Sequence, residues 1–138
     1  MNVTYSNNLS VENYFLLRKS VGFYDIPKEQ VKLALEKSNY IITAAVDDIP
    51  IGMARLMTDG TQVFIMDVVV HPDFQRKGIG KSLMEHIIEF IKTMEYTRML
   101  VNLITDESKT GFYEKVGFNR AEGMRLWLEK DEAKNGKQ

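Results

Sequence analysis

Apolar and polar positions alternate in short runs whose period changes several times along the chain. Val3 to Ser6 reads as a short edge strand. Ser10 is placed to N-cap a helix carrying Val11, Tyr14, Phe15 and Val21 on one face. After the loop GFYDI, Pro27 falls in the first turn of a second helix bearing Val31, Leu33, Ala34 and Leu35. The apolar run YIITAAV stops at the polar turn Asp47-Asp48, IGMARLM follows, and Asp59-Gly60 marks another tight connection. VFIMDVVV, Val63 to Val70, is apolar on both alternating faces except at Asp67, which predicts a central strand covered on both sides. From Ile79 the spacing turns helical, with Leu83, Ile87, Ile88, Ile91 and Met94 along one stripe. MLVNLI then reads as a second buried strand, joined to the first by a parallel crossover. A short helix from Lys109 to Val116 follows, and GFNRAEGMRLWLEK predicts two last strands with Gly123 in the bend. This order describes a mixed α/β fold in one layered domain over residues 1–130, with residues 131–138 a flexible polar tail.

Composition narrows the function classes. A chain of 138 residues with 44% hydrophobic and 27% charged positions can close one core. Eighteen basic against nineteen acidic residues leave a net charge of -1, without the broad positive field that nucleic acid or a membrane surface requires. Zero cysteines exclude disulfides, thiolate metal sites and a cysteine nucleophile. No apolar run is long enough for a membrane span, and MNVTYSNNLS lacks a signal pattern, so a cytoplasmic protein is expected. No grouping of His, Asp and Glu has metal-ligand spacing, so no metal is expected; His71 reads as a loop residue and His86 as surface.

The segment HPDFQRKGIGKSLM, residues 71 to 84, breaks two helix rules at one place. Gly78 and Gly80 each cost roughly 1 kcal/mol against alanine in a helix interior. Arg76, Lys77 and Lys81 crowd the end where the helix dipole is already positive. A phosphate or pyrophosphate would resolve both, with glycines allowing close backbone approach, amides pointing at oxygen and cations screening charge. The other reading is a glycine-softened helix start under a solvated basic cluster. GIGKS resembles the end of a nucleotide-binding P-loop, but the first glycine of that pattern would fall at Gln75 and MLVNLI carries no magnesium-holding aspartate. A dinucleotide fingerprint fails at Leu83.

The strand VVV followed by His71-Pro72 and Gln75-Arg76-Lys77-Gly78-Ile79-Gly80 is similar to motif A of the GNAT N-acetyltransferase superfamily, [QR]-x-x-G-x-[GA]. Phe112-Tyr113-Glu114-Lys115-Val116-Gly117-Phe118 resembles its motif B, F-Y-x-x-x-G-F. The resemblance covers residues 1 to about 130 and implies a single-domain mixed sheet with splayed central parallel strands flanked by helices. It implies acetyl-coenzyme A as co-substrate, its pyrophosphate on the amides of Arg76, Lys77, Gly78, Ile79, Gly80 and Lys81, with Ser82 nearby. The pantetheine arm would run between VFIMDVVV and MLVNLI, pairing with backbone at Val68 and Val70, and donors at Val68, Val69 and Val70 would polarise the thioester carbonyl. The chain departs from the family pattern at Asp106 and Lys109, where an asparagine and an alanine are common; Lys109 could instead reach a cofactor phosphate.

Acetyl transfer to an amine needs a neutral nitrogen and a stabilised thiolate. Tyr113 matches the family's general-acid tyrosine, although it could simply pack beside Phe112 and Phe118. Asp67, the lone charge in an apolar strand, is either a base made stronger by desolvation or an aspartate paired with Arg55; a chain of waters is a third route for the proton. Phe23, Tyr24 and Trp127 would form an aromatic acceptor wall, with Arg125 nearby. The acceptor is a small-molecule or peptide amine, and a homodimer is one option for the assembly. The leading function is an acetyl-CoA-dependent N-acetyltransferase; the competing one is a CoA-binding sensor or partner-binding module of the same fold without turnover.

Overall fold

In the computed structural model, which describes residues 1–130, the apolar runs pair into one five-stranded sheet of order β1-β2-β3-β4-β5. The strands are β1 (Val3–Ser6), β2 (Tyr40–Val46), β3 (Ile49–Thr58), β4 (Gln62–Val70) and β5 (Leu100–Asn102). Helices α1 (Val11–Ser20) and α2 (Lys28–Lys37) join β1 to β2, α3 (Ile79–Lys92) joins β4 to β5, and α4 (Thr110–Lys115) follows. The chain forms two compact units, residues 1–105 and a second beginning at Asp106.

Local chemistry sets the first unit. Ser10 caps α1 by accepting from the Asn13 amide at 3.1 Å. Asp47 and Asp48 both adopt left-handed φ, 51° and 63°, as a two-residue hairpin turn between β2 and β3 requires. The first four strands are antiparallel neighbours, whereas β4 and β5 run parallel with α3 as the crossover. Successive strand residues point to opposite faces. Met53 and Val69 share a core with Tyr14 and Leu17 of α1 and Val31 of α2. The neighbouring Gly52 faces α3, where a Cβ would stand 3.1 Å from the Val69 carbonyl and 3.3 Å from Leu83. So α1 and α2 cover one face, α3 covers the other, and Gly52 lets the start of α3 settle against the end of β4.

The sequence pattern overstates three features. β4 is not covered on both sides, because Phe64 is 40% exposed. MLVNLI pairs only over Leu100–Asn102. The two terminal strands expected in GFNRAEGMRLWLEK are absent: residues 118–130 form neither helix nor strand, and Met124 and Leu128 are exposed. An alternating apolar run becomes a strand only when a neighbouring strand satisfies its backbone, and apolar alternation alone does not supply one. The expected polar tail, residues 131–138, lies outside the described residues.

In the second unit, Asp106 caps a short 3-10 turn (Glu107–Lys109) that runs into α4. Gly117, at φ 105°, ends α4, and the Phe118 amide returns to the Tyr113 carbonyl at 3.1 Å.

Candidate active site

The loop between β4 and α3 is tied down at both ends. The His71 amide donates to the Ile51 carbonyl at 2.8 Å, and the Gln75 side-chain amide donates back to the Val70 carbonyl at 2.9 Å. His71 accepts from the Asp73 amide at 3.1 Å and thereby caps the turn Pro72–Phe74, the loop role expected of it. Past Gln75 the backbone is left-handed at Arg76 (φ 63°) and again at Gly78 (φ 82°), which is the N-cap of α3 and supplies no side-chain cap. For a non-glycine residue the left-handed region costs about 1–2 kcal/mol, so Arg76 stores strain here.

The result is a run of unsatisfied donors. Among the described residues no oxygen accepts from the amides of Arg76, Lys77, Gly78, Ile79, Gly80 or Lys81; the first amide of α3 to find a partner is that of Ser82, bonded to the Gly78 carbonyl at 3.1 Å. The first turn of α3 contains no acidic residue, and Arg76, Lys77 and Lys81 are exposed and without ion-pair partners among the described residues. Aligned free amides, a positive helix terminus and three cations without ion-pair partners among the described residues together could hold a polyanion. The donor set therefore fits a diphosphate.

Beside this loop, β4 carries an open edge. Its parallel pairing with β5 ends at Phe64–Asn102, so Ile65 to Val70 have no strand partner on that side among the described residues. The splay expected between these strands is present. The Gln75 amide already uses the Val70 carbonyl. Val69 packs into the core with its side chain and stands opposite Met53 of β3, so the open edge is presented by Val68 and Val70.

Asp67 sits at a β-bulge. Met53 faces Val69 and Arg55 faces Met66, so Asp67 and Val68 together stand opposite Ala54. With φ 55°, Asp67 turns its carboxylate toward Arg55 and α1. Oδ2 accepts from Arg55 Nε at 2.7 Å and from the Tyr14 hydroxyl at 2.6 Å, while Oδ1 is paired with Arg18 Nη1. The carboxylate is thus sequestered, with its side chain 7% exposed. Of the two expectations for Asp67, the geometry is that of the ion pair with Arg55: a carboxylate held by two guanidinium groups and a phenol is not available as a base. Burial first, then donation to Asp67, push the Tyr14 phenol up to about 12.

Arg18 is the partner of Asp67 that the sequence reading passed over. It lies in the stripe Val11, Tyr14, Arg18, Val21, and a cation inside an apolar stripe was the available signal. Its guanidinium lies 5.0 Å from the centre of the Phe23 ring and 4.8 Å from that of Tyr24, and it donates to the Tyr24 carbonyl at 2.9 Å. Phe23 and Tyr24 are therefore brought together on an arginine that is itself locked to Asp67. Trp127 lies in the second unit, 60% exposed and outside any strand. His86 is less of a surface residue than expected: its ring stacks on Tyr5 at 4.7 Å and its Nδ1 lies 2.8 Å from the Ser82 carbonyl.

In the second unit, Tyr113 is buried, edge-on to Phe112 at 5.0 Å and to Phe118 at 6.0 Å. Burial, and secondarily the charge of Asp106, push its phenol up to about 12. Asp106 accepts from both the amide and the hydroxyl of Ser108, and the hydroxyl bond chiefly lowers its pKa. Its carboxylate is committed to the turn, while Lys109 is exposed. Among the described residues no cluster of His, Cys, Asp or Glu could hold a metal, and no helix is long and apolar enough to cross a membrane.

The chain is similar to known proteins in sequence and in fold. The chain is 34% identical over 120 residues to an uncharacterized N-acetyltransferase, ycf52, of Pyropia yezoensis, covering 82% of this chain and 68% of that one. It is 30% identical over 102 residues to the chloroplastic GCN5-related N-acetyltransferase 1 of Arabidopsis thaliana, covering 72% of this chain and 51% of that one. The chain thus spans between half and about two thirds of these relatives' length. A Staphylococcus aureus crystal structure titled a probable acetyltransferase superposes with TM-score 0.86 at 28% identity, over 92% of this chain and 100% of that one. Residues 8–118, from just before α1 to the end of the Tyr113 motif, match the Acetyltransferase (GNAT) family. Sequence and fold agree: this chain belongs to the Acetyltransferase (GNAT) family of acyltransferases.

Proposed function

We propose that residues 1–130 act as one acetyltransferase domain that moves an acetyl group from acetyl-CoA to a primary amine of a small molecule or peptide. The observation that carries this reading is the run of unsatisfied amides from Arg76 to Lys81 beneath three unpaired cations. Those amides would hold the diphosphate, with Ser82 beside them, and Lys77 and Lys81 would screen its charge. The open edge of β4 would take the pantetheine arm as an added strand does, through the backbone at Val68 and Val70.

The donor supplies an activated thioester; the chain supplies orientation and charge control. Backbone donors at the end of β4 would polarise the carbonyl. An alkyl ammonium has a pKa near ~10.4, so the acceptor must lose a proton before it attacks. Asp67 is committed to Arg18 and Arg55, so the proton would leave by water rather than through a dedicated carboxylate. One carboxylate between two guanidinium groups leaves that cluster with excess positive charge, which disfavours the ammonium form of an amine docked against Phe23 and Tyr24. Tyr113 stays protonated across the physiological range and is a donor for the departing sulfur.

The test couples binding to turnover. Acetyl-CoA should raise the melting temperature, by the equivalent of ~2.7 kcal/mol at a hundredfold excess over Kd, whereas ATP with magnesium should not. A panel of amines should then release free thiol with at least one acceptor. A shift by ATP alone, or none by acetyl-CoA, would overturn the reading; a shift by acetyl-CoA with no thiol release from any amine would leave a CoA-binding module in its place.

A further inference from the structure

The end of β4 is a short ladder with a built-in stop. The His71 amide donates to the Ile51 carbonyl of β3 at 2.8 Å. Backbone groups of successive strand residues turn to alternate sides, so the N–H and C=O of Val70 turn to the open side. A parallel neighbour bridges the carbonyl of one residue and the amide two positions on. The Val68 carbonyl and the Val70 amide make one such rung. The next rung would need the Val70 carbonyl and an amide at position 72. Both are closed: Pro72 has no N–H, and the Gln75 side-chain Nε2 donates to the Val70 carbonyl at 2.9 Å.

Gln75 stands between that rung and the strained start of the amide run. Its own backbone bond to the Pro72 carbonyl is long, 3.4 Å, and Arg76 follows at φ 63°. The side-chain bond to Val70 is therefore the firmer tie between the loop and the strand edge. We infer that Gln75 is a positioning residue for the acyl donor: by capping the Val70 carbonyl it stops the donor arm at the Val68–Val70 rung. The inference rests on the acetyl-CoA reading proposed above. A diphosphate held at the start of α3 anchors only one end of the arm, and a chain of single bonds can coil as well as stretch. A slip of one rung toward the loop carries the thioester past two strand residues, about 6.6 Å. That is too far from the backbone donors that would polarise its carbonyl. The cap thus sets register and leaves the anchor alone.

The test separates register from anchoring. Gln75 is exposed, and Gln75→Met keeps its length while freeing the Val70 carbonyl. With acetyl-CoA and the best acceptor of the amine panel, its kcat should fall about fivefold to tenfold, the range that one net hydrogen bond covers. The Kd for CoA, by calorimetry, and the melting temperature should stay at their wild-type values. Gln75→Asn keeps the amide but is one methylene short, and should share the deficit. Gln75→Arg, whose N–H groups reach the same carbonyl, should restore kcat. Full kcat in the methionine or asparagine variant overturns the inference, and so does an arginine variant no better than the methionine one. So does a methionine variant that loses kcat, Kd and melting temperature together, since Gln75 would then hold the loop rather than set the register. A wild-type chain that binds no CoA, or binds it and releases no thiol with any amine, removes the acetyl-CoA reading itself and this inference with it.

Discussion

The guanidinium of Arg18, on the first helix, and the carboxylate of Asp67, on the bulge of β4, form a nearly buried ion pair across 49 positions of sequence. Arg18 also carries the Phe23 and Tyr24 rings, so the proposed acceptor wall and the open edge of β4 are fixed to each other through Asp67. Replacing Asp67 with Asn keeps a residue tolerant of left-handed φ but removes the anion between two arginines. Breaking a buried pair from one side costs about 3–5 kcal/mol, because the surviving charges stay buried without compensation. Asp67→Asn should therefore lower the urea midpoint strongly, with any loss of activity following the loss of folded protein. A variant as stable as wild type with only kcat reduced would restore Asp67 as a base.

Much of this was readable in the sequence because it depends on short-range pattern. Ser10 capping α1, the Asp47-Asp48 turn and the glycine-spaced start of α3 each follow from residue chemistry over a few positions. The Arg18–Asp67 pair was not, because the partner of a buried charge is chosen by tertiary packing. Arg55, 12 positions away on the neighbouring strand β3, was the more visible candidate for Asp67, and it is a partner too. The terminal strands were misplaced for the converse reason. MRLWL has the right alternation, but a strand also needs an edge to join, which no local pattern supplies.

Gly78 is the N-cap of α3 at φ 82°, with nothing within 4 Å of the position a Cβ would take. Alanine there meets no clash, so its cost is conformational, about 1–2 kcal/mol for the left-handed region. Gly78→Ala should destabilise the chain by that amount, and Gly78→Asn by less, since Asn visits this region more readily. Chemical denaturation of the three proteins checks it. Equal stability of the alanine variant would mean that the loop adopts another backbone in solution.

Lys77 and Lys81 lie among the free amides without an ion-pair partner in the described residues. Removing either charge leaves the fold's hydrogen bonds intact. Lys77→Gln/Lys81→Gln should weaken acetyl-CoA binding by about tenfold, in line with charge-assisted contacts of roughly 1.4 kcal/mol in sum, and should flatten its dependence on salt. Titration calorimetry at two ionic strengths reads both. An unchanged Kd at low salt would move the diphosphate away from the start of α3.

Two phenols, Tyr14 and Tyr113, are pushed up to about 12, chiefly by burial. Both values lie above the ordinary 10.0 of an unfolded tyrosine. The folded state therefore holds these protons more tightly than the unfolded state, and the associated stability is complete below about pH 10 and lost as pH rises toward 12. Absorbance at 295 nm should show two phenols still protonated at pH 11 in the native chain, becoming ionisable on adding urea. Tyr14→Phe and Tyr113→Phe should each remove one late-titrating group. Full phenolate absorbance at pH 11 in the folded protein would contradict the burial of both hydroxyls.

Tyr113 bears on catalysis as well as on titration. A free thiol has a pKa near ~8.5, so a phenol at about 12 is a poor source of a fully transferred proton and acts instead by donating a hydrogen bond to a developing thiolate. Its contribution then belongs to the transition state, when charge builds on sulfur, and not to the ground state, in which the thioester sulfur is a weak acceptor. Tyr113→Phe keeps the ring contacts with Phe112 and Phe118 and removes only the hydroxyl. Turnover should fall by about 10²-fold with acetyl-CoA affinity nearly unchanged. Because the donor acts on the leaving group, the deficit should shrink with a thioester whose thiol is more acidic, since that leaving group needs less help. A variant that acetylates at full rate, or one whose deficit is the same for every leaving group, would remove Tyr113 from the reaction and leave it a packing residue of the second unit.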